Sequence, residues 1–215
     1  MIKKNVMMVS VLLLSVLLAT PIVAQGAAEY VQSVESVIDP DSSGVVAESG
    51  PASGEEGILL MREEEKLARD VYVALHEKWG IRTFANIARS EQRHMDAVAA
   101  LMQAKGIADP VAHSPAGQFT HATIASLYEE LVALGMKSPI DALIVGAIIE
   151  DLDIADLERL LADTDDPDTV RVYSALLRGS ENHMRSFAGL LERNGTSYEA
   201  RHISSERLAE ILNSR

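Results

Sequence analysis

Cysteine is absent from the 215 residues. That absence excludes disulfides, thiolate metal ligands, iron–sulfur clusters, cysteine nucleophiles and lipid attachment through cysteine. A chain without disulfides must be held by its core, and this one is long enough to bury one. Basic residues are the minority: 19 Lys and Arg stand against 32 Asp and Glu, a formal charge of −13. Such a chain repels nucleic acid and anionic membrane surfaces and suits cations. The sequence also lacks a phosphate-binding glycine loop, a basic aromatic patch and any sustained alternating strand pattern. Without that alternation an all-α fold is expected.

Met1-Ile2-Lys3-Lys4-Asn5 precedes a largely apolar run from Val6 to Ala19, then Thr20-Pro21-Ile22-Val23-Ala24. A positive start, an apolar run and small residues make the layout of a secretory signal. Residues 1–24 are read as a signal peptide, cleaved after Ala24 or Ala28. The protein is then expected to be exported, periplasmic or extracellular, with no membrane contact after cleavage. A retained N-terminal membrane anchor is the alternative, although the run is short against the roughly 20 residues of a spanning helix. Residues 25–52 mix Ser, Gly, Pro, Asp, Glu and Val without a sustained period and read as a flexible linker. Residues 1–25 hold two lysines and no acid, so their loss takes the formal charge from −13 to −15.

Helix signals begin at Ser53-Gly54-Glu55-Glu56, a capping box, and the first helix is expected to run to Trp79, with Gly80 ending it. Thr83 is placed to cap a second helix that ends before Gly106. Ser138-Pro139 and Asp166-Pro167 each open a long helix with proline at its first position, over 139–162 and 167–193. Asn194-Gly195 closes the last. The link 107–137 holds one short helix near Thr123–Leu134. The tail 199–215 adds a short helix over Ser204–Leu212. Residues 53–198 therefore read as a four-helix domain, with a long crossover between helices two and three. Helices one and two are expected to pair as one hairpin, three and four as the other.

The second helix carries the chemistry. Phe84, Ile87, Glu91, His94, Val98 and Leu101 alternate steps of three and four, so Glu91 and His94 share the face that should be buried. A carboxylate and an imidazole three apart reach a common metal ion, and Glu-x-x-His is the unit of carboxylate-bridged di-metal sites. Gly179–Leu191 aligns without gaps on Ser90–Met102, and its stripe repeats the steps: Tyr173, Leu176, Ser180, His183, Phe187, Leu190. His183 matches His94, but Ser180 stands where Glu91 stands. Helix three has Glu150 in mid-stripe between Ala147 and Ile154, with Asp153 and Asp156 a turn and two turns on. Helix one offers Glu63-Glu64-Glu65. Glu64 lies on one stripe (Leu60, Leu67, Val71) and Glu65 on a longer one (Met61, Ala68, Tyr72, Leu75, Trp79). Periodicity does not choose among the three, and at least one is expected to be solvated.

The segment Glu65-Lys66-Leu67-Ala68-Arg69-Asp70-Val71-Tyr72 resembles the first-helix signature of ferritin-like and rubrerythrin-like di-iron proteins. In that signature a metal-binding Glu precedes a buried Tyr by seven positions. FANIARSEQRH is similar to their second-helix Glu-x-x-His segment. On the phrases REEEKLARDVY, SEQRHMDAV and EDLDIADL, the region from Glu56 to Tyr198 resembles the family called domain of unknown function 2202. The resemblance implies a ferritin-like four-helix bundle with a dinuclear metal site and no established substrate. It places Glu65, Glu91, His94, Glu150 and His183 at ligand positions. Ser180 departs from the pattern, and Asp153 is the candidate to replace its carboxylate, since rubrerythrin-like proteins carry two carboxylates three apart on helix three.

Oxygen and nitrogen donors suit two ions of iron, with manganese or zinc as alternatives. Metal ions and small oxidants are the expected partners, together with a homo-oligomer formed through helix faces. The expected activity is a di-iron oxidase, ferroxidase or peroxidase, with Tyr72 on the Glu65 face donating an electron or a proton. The rival readings are a non-catalytic metal-binding or sequestering protein and a structural bundle with a degenerate site. Two further expectations are open to test. Glu65 lies 14 residues before Trp79 and Glu91 only 8 after Thr83, a depth difference of about 9 Å in a tight hairpin. Ser180→Glu should raise metal affinity if the pocket is roomy.

Overall fold

The computed structural model describes residues 54–214. The signal segment, the linker and the Ser53 cap lie outside them. All regular structure among the described residues is helical: α1 (Gly54–Trp79), α2 (Arg82–Lys105), α3 (Ala122–Gly135), α4 (Pro139–Ala162), α5 (Pro167–Arg193) and α6 (Ser205–Asn213).

The helix ends follow local chemistry. The Ser138 hydroxyl accepts from the Asp141 amide and the Asp166 carboxylate from the Thr169 amide, each one residue before a proline. Gly106 closes α2 in the left-handed region at φ 72°. The start of α2 differs from expectation. Ile81 is the extended residue before the helix, no side chain caps it, and Thr83 lies inside the first turn. Gly80, at φ +67°, reverses the chain so quickly that the helix restarts before Thr83 is reached.

α1 packs along α2, and α4 along α5, as two hairpins. α2 also meets α5 and α1 meets α4, so the four long helices enclose a common interior. The link from α2 to α4 is pinned to the flank of α1 at successive levels. Asp109 pairs with Arg62 at 2.8 Å, the Pro115 carbonyl accepts from Lys66 at 2.8 Å, and the Gly117 amide donates to Asp70 at 3.0 Å. Further along, the Trp79 indole donates to the Gly135 carbonyl at 2.8 Å. The link thus travels the length of α1 before α4 begins.

The interior has two apolar regions. Ile58, Met61, Val98, Leu101, Met102, Leu157, Leu160, Tyr173 and Leu176 form one cluster. Tyr72, Phe84 and Phe187 form the other, with ring centroids 5.4–5.9 Å apart. Burying each such ring contributes roughly 1.5–3 kcal/mol. The stripe positions between these regions are the polar ones.

Candidate metal centre

Glu65, Glu91, Glu150 and His183 are all buried, and His94 is nearly so. Their side chains form two triads. Ligand atoms of Glu65, Glu91 and His94 lie within 4.8 Å of one another, and so do those of Glu91, Glu150 and His183. Glu91 belongs to both and serves each with a different oxygen. Its Oε2 is 2.8 Å from His94 Nδ1, and its Oε1 is 2.8 Å from His183 Nδ1. Glu65 Oε2 lies 3.1 Å from His94 Nδ1, and Glu150 Oε2 3.5 Å from His183 Nδ1. The two imidazoles stack with centroids 5.6 Å apart.

The hairpin depths resolve without shortening α1. Glu65 meets His94, one turn beyond Glu91, so the backbone offset it must span is only about 3 Å at 1.5 Å per residue. His94 finds its seat because α5 has glycine at position 179. A Cβ there would stand 2.5 Å from Cε1 and Nε2 of the His94 ring. Glycine in mid-helix is costly by about 0.5–1 kcal/mol against alanine, which makes it a sign of close approach. Gly146 of α4 acts likewise. Its missing Cβ makes room for the Phe187 ring, and its carbonyl accepts from Tyr72 at 3.3 Å.

Tyr72 is fully buried and donates to Glu150 Oε1 at 2.5 Å. Burial and then the Glu150 charge push its phenol well above the usual range. It therefore holds Glu150 in place at neutral pH and keeps its own proton.

Ser180 and Asp153 meet directly. The Ser180 hydroxyl donates to Asp153 Oδ2 and lies 3.2 Å from the Leu176 carbonyl of its own helix. Asp153 is buried, so its carboxylate does not face solvent, but it joins neither triad. With Ser180 itself buried against Asp153, the site is not roomy. The roomy pocket on which the Ser180→Glu expectation depends is therefore not present, since Ser180 sits directly against Asp153.

The three consecutive glutamates are all buried, which corrects the expectation that one would be solvated. Glu65 faces His94. Glu63 accepts from the Thr120 amide at 2.9 Å, the His121 amide at 3.1 Å and the Thr120 hydroxyl, and so fixes the chain that leads into α3. Glu64 turns inward beside Asp156. The crossover link covers the side of α1 that a bare bundle would leave wet, and no periodicity within α1 reports that cover. The inward face of Glu64 was legible as its own stripe. Asp156, two turns beyond Glu150, is buried and paired with Arg159 at 2.7 Å.

Electrostatics separate the carboxylates. Burial pushes Glu91 up, but His183 and His94 on either side outweigh it and hold its carboxyl at about 2. Burial and the Asp153 charge raise Glu65, with His94 opposing. Burial and the Glu91 charge raise Glu150, with His183 and Tyr72 opposing. Asp153 is pushed up to about 7 by burial and the Glu150 charge. Burial works against the imidazolium forms. Even so, Glu65 and Glu91 hold His94 up at about 11, and Glu150 and Glu91 hold His183 at about 10. Metal-free, the centre is an ionised Glu91 between two imidazolium rings.

The donor set tests the fit of a metal. Glu65 Oε1, Glu91 Oε1, Asp153 Oδ1 and His183 Nδ1 are buried without a properly directed hydrogen-bond partner. Buried polar atoms are nearly always satisfied, so orphans converging from four helices fit bound cations. The other histidines form no second cluster: His76 Nδ1 lies 3.0 Å from the Ile81 carbonyl at the α1–α2 turn, and His121 precedes α3.

"Uncharacterized protein MJ0754" of Methanocaldococcus jannaschii is 51% identical over 159 residues, which are 74% of this chain and 86% of that protein. The crystal structure of hypothetical protein MJ0754 from Methanococcus jannaschii DSM 2661 superposes with a TM-score of 0.74 at 50% identity, covering 75% of this chain and 92% of that one. A family model described as "Uncharacterized protein domain (DUF2202)" matches residues 54–215, so the chain belongs to the DUF2202 family.

Proposed function

We propose that this is an exported protein of ferritin-like architecture whose interior holds two metal ions, iron first, and that it acts as an oxidase, ferroxidase or peroxidase. The observation that carries the reading is Glu91, whose two oxygens each face a different histidine and a different carboxylate. A carboxylate shared between two histidine–carboxylate pairs is the arrangement that a bridged two-metal centre requires. The pairing of two antiparallel hairpins through a long crossover supports the ferritin-like assignment. The N-terminal signal pattern supports export.

Glu65 and His94 would hold one ion, Glu150 and His183 the other, and Glu91 would bridge them. Two such ions, when bound, supply two-electron reduction of dioxygen or peroxide. The chain's own contribution is positional and electrostatic. Glu91, ionised at every working pH, is ready to bridge without first losing a proton. Tyr72 fixes Glu150 from the far side. Phe84 and Phe187 pack around Tyr72 and keep that side dry. Both histidines must give up a proton before they ligate, so loading releases protons.

Anaerobic titration with ferrous iron, read by elemental analysis, tests the centre, and oxygen consumption on adding ferrous iron tests turnover. Two ions per chain with oxygen uptake are expected. Two ions without oxygen uptake would make the protein a metal carrier, and no bound metal would leave a structural bundle.

A further inference from the structure

One seam of the bundle is covered by the crossover link. α3 packs on both α1 and α4, and so lies over the line where those two helices meet. A partly open cavity of about 10 Å³ lies there, room for one water-sized molecule. Glu65, Glu91 and Glu150 all line it, so it reaches the carboxylates of both triads. The apolar part of its wall comes from Leu67 and Ala68 of α1, Leu127 of α3, and Ile149 and Leu152 of α4. Every lining residue is buried except Leu127 and Leu152, which are half-buried. These two leucines therefore form the mouth.

The mouth sets what can pass. Neither leucine side chain can replace the water around an ion, and shedding that water unaided is very costly. Hydrogen peroxide carries no charge but gives up its hydrogen bonds at the same two side chains. Dioxygen has neither charge nor hydrogen bonds to lose, and a diatomic is small enough to follow a water-sized opening when the leucines turn aside. An organic substrate is too large for the cavity. We propose that the α1–α4 seam is the entrance for the oxidant, that Leu127 and Leu152 gate it, and that the oxidant it selects is dioxygen. The inference rests on the two-metal reading and narrows it to an oxidase or ferroxidase driven by dioxygen.

The test uses nitric oxide, an uncharged diatomic that binds ferrous iron without turnover, as a stand-in for dioxygen. Full-length protein is loaded anaerobically with ferrous iron, the bound ions are counted, and nitric oxide binding is followed by stopped-flow absorbance. Leu127→Phe and Leu152→Phe add bulk at the mouth, and each should slow nitric oxide binding by about tenfold or more. The rate of ferrous uptake and the count of two ions should match wild type, which also checks the fold of each variant. In wild type, dioxygen should oxidise the bound iron faster than hydrogen peroxide at equal concentration. Two ions in every protein with equal nitric oxide rates would overturn the proposal and leave the two-metal centre standing. Ferrous uptake slowed as much as nitric oxide binding, or faster oxidation by peroxide, would also overturn it. If the Phe variants bind fewer than two ions, the double variant Leu127→Ala, Leu152→Ala decides: its nitric oxide rate should exceed wild type, and an unchanged rate would overturn the proposal. No bound iron in wild type would overturn both this proposal and the two-metal reading.

Discussion

α2 places Glu91 three residues before His94, and α5 places Ser180 three residues before His183. The two histidines end up alike, each within 2.8 Å of a Glu91 oxygen and each held as an imidazolium in the metal-free protein. The residues before them do not. Glu91 sits between both rings, whereas Ser180 spends its hydroxyl on Asp153 of the neighbouring helix. A buried carboxylate of α4, Asp153, therefore lies beside the serine of the second copy.

The comparison breaks most severely at Glu91. Glu91→Gln removes the one group common to both triads and should abolish tight binding of both ions by isothermal titration. In the metal-free protein it leaves two buried imidazolium rings short of a partner. Breaking a buried ion pair costs about 3–5 kcal/mol, and urea denaturation should show a loss of that size. Ser180→Ala, the matching position of the other copy, should lose no more than about 1.5 kcal/mol and retain both ions.

The next largest effect lies one residue earlier. Gly179→Ala drives a methyl group into the His94 ring and should cost about 1–3 kcal/mol while weakening the ion of the Glu65 triad. Ser90→Ala, its counterpart in α2 at a half-buried position, should leave binding unchanged. Metal titration of the two variants side by side reads the contrast.

Exchanging the carboxylate sharpens the comparison further. Ser180→Glu alone sets two carboxylates against each other and should weaken metal binding. Ser180→Glu combined with Asp153→Ser should restore it, because the second copy then has its own Glu-x-x-His. A double variant no better than the single one would show that Asp153 and position 180 do not share a role.

A further contrast appears with pH. His94 and His183 have folded pKa values of about 11 and 10, above the ordinary 6.5. Their contribution to metal-free stability is complete below about 6.5 and is lost as pH rises through 10 to 11. Denaturation midpoints of the metal-free protein should fall across that window, and metal loading at pH 7 should release about two protons from the rings.

The helices and much of the centre were legible because their causes are local. Ser138-Pro139 and Asp166-Pro167 announce helix starts whatever surrounds them. The three-and-four stripe through Glu91 and His94 states which way both residues face. What escaped depended on distant neighbours. Glu63 is buried because Thr120 and His121, 57 and 58 residues away, donate to it. Gly179 matters because His94 arrives from another helix. Asp156 is a polar residue whose burial follows from the packing of α4 against its neighbours, which no single-helix pattern contains. The Ser180–Asp153 pairing was half legible: the resemblance to rubrerythrin-like proteins brought Asp153 into view, but only the packed structure shows the hydroxyl holding it.

The central claim is that Glu91 stands between two metal ions. Crystals of the full-length protein, loaded anaerobically with ferrous iron and measured at the iron edge, test it directly. The account predicts two anomalous peaks about 3.5–4 Å apart, one beside His94 and Glu65, the other beside His183 and Glu150, with a Glu91 oxygen on each. A single peak, or peaks out of reach of Glu91, would contradict it.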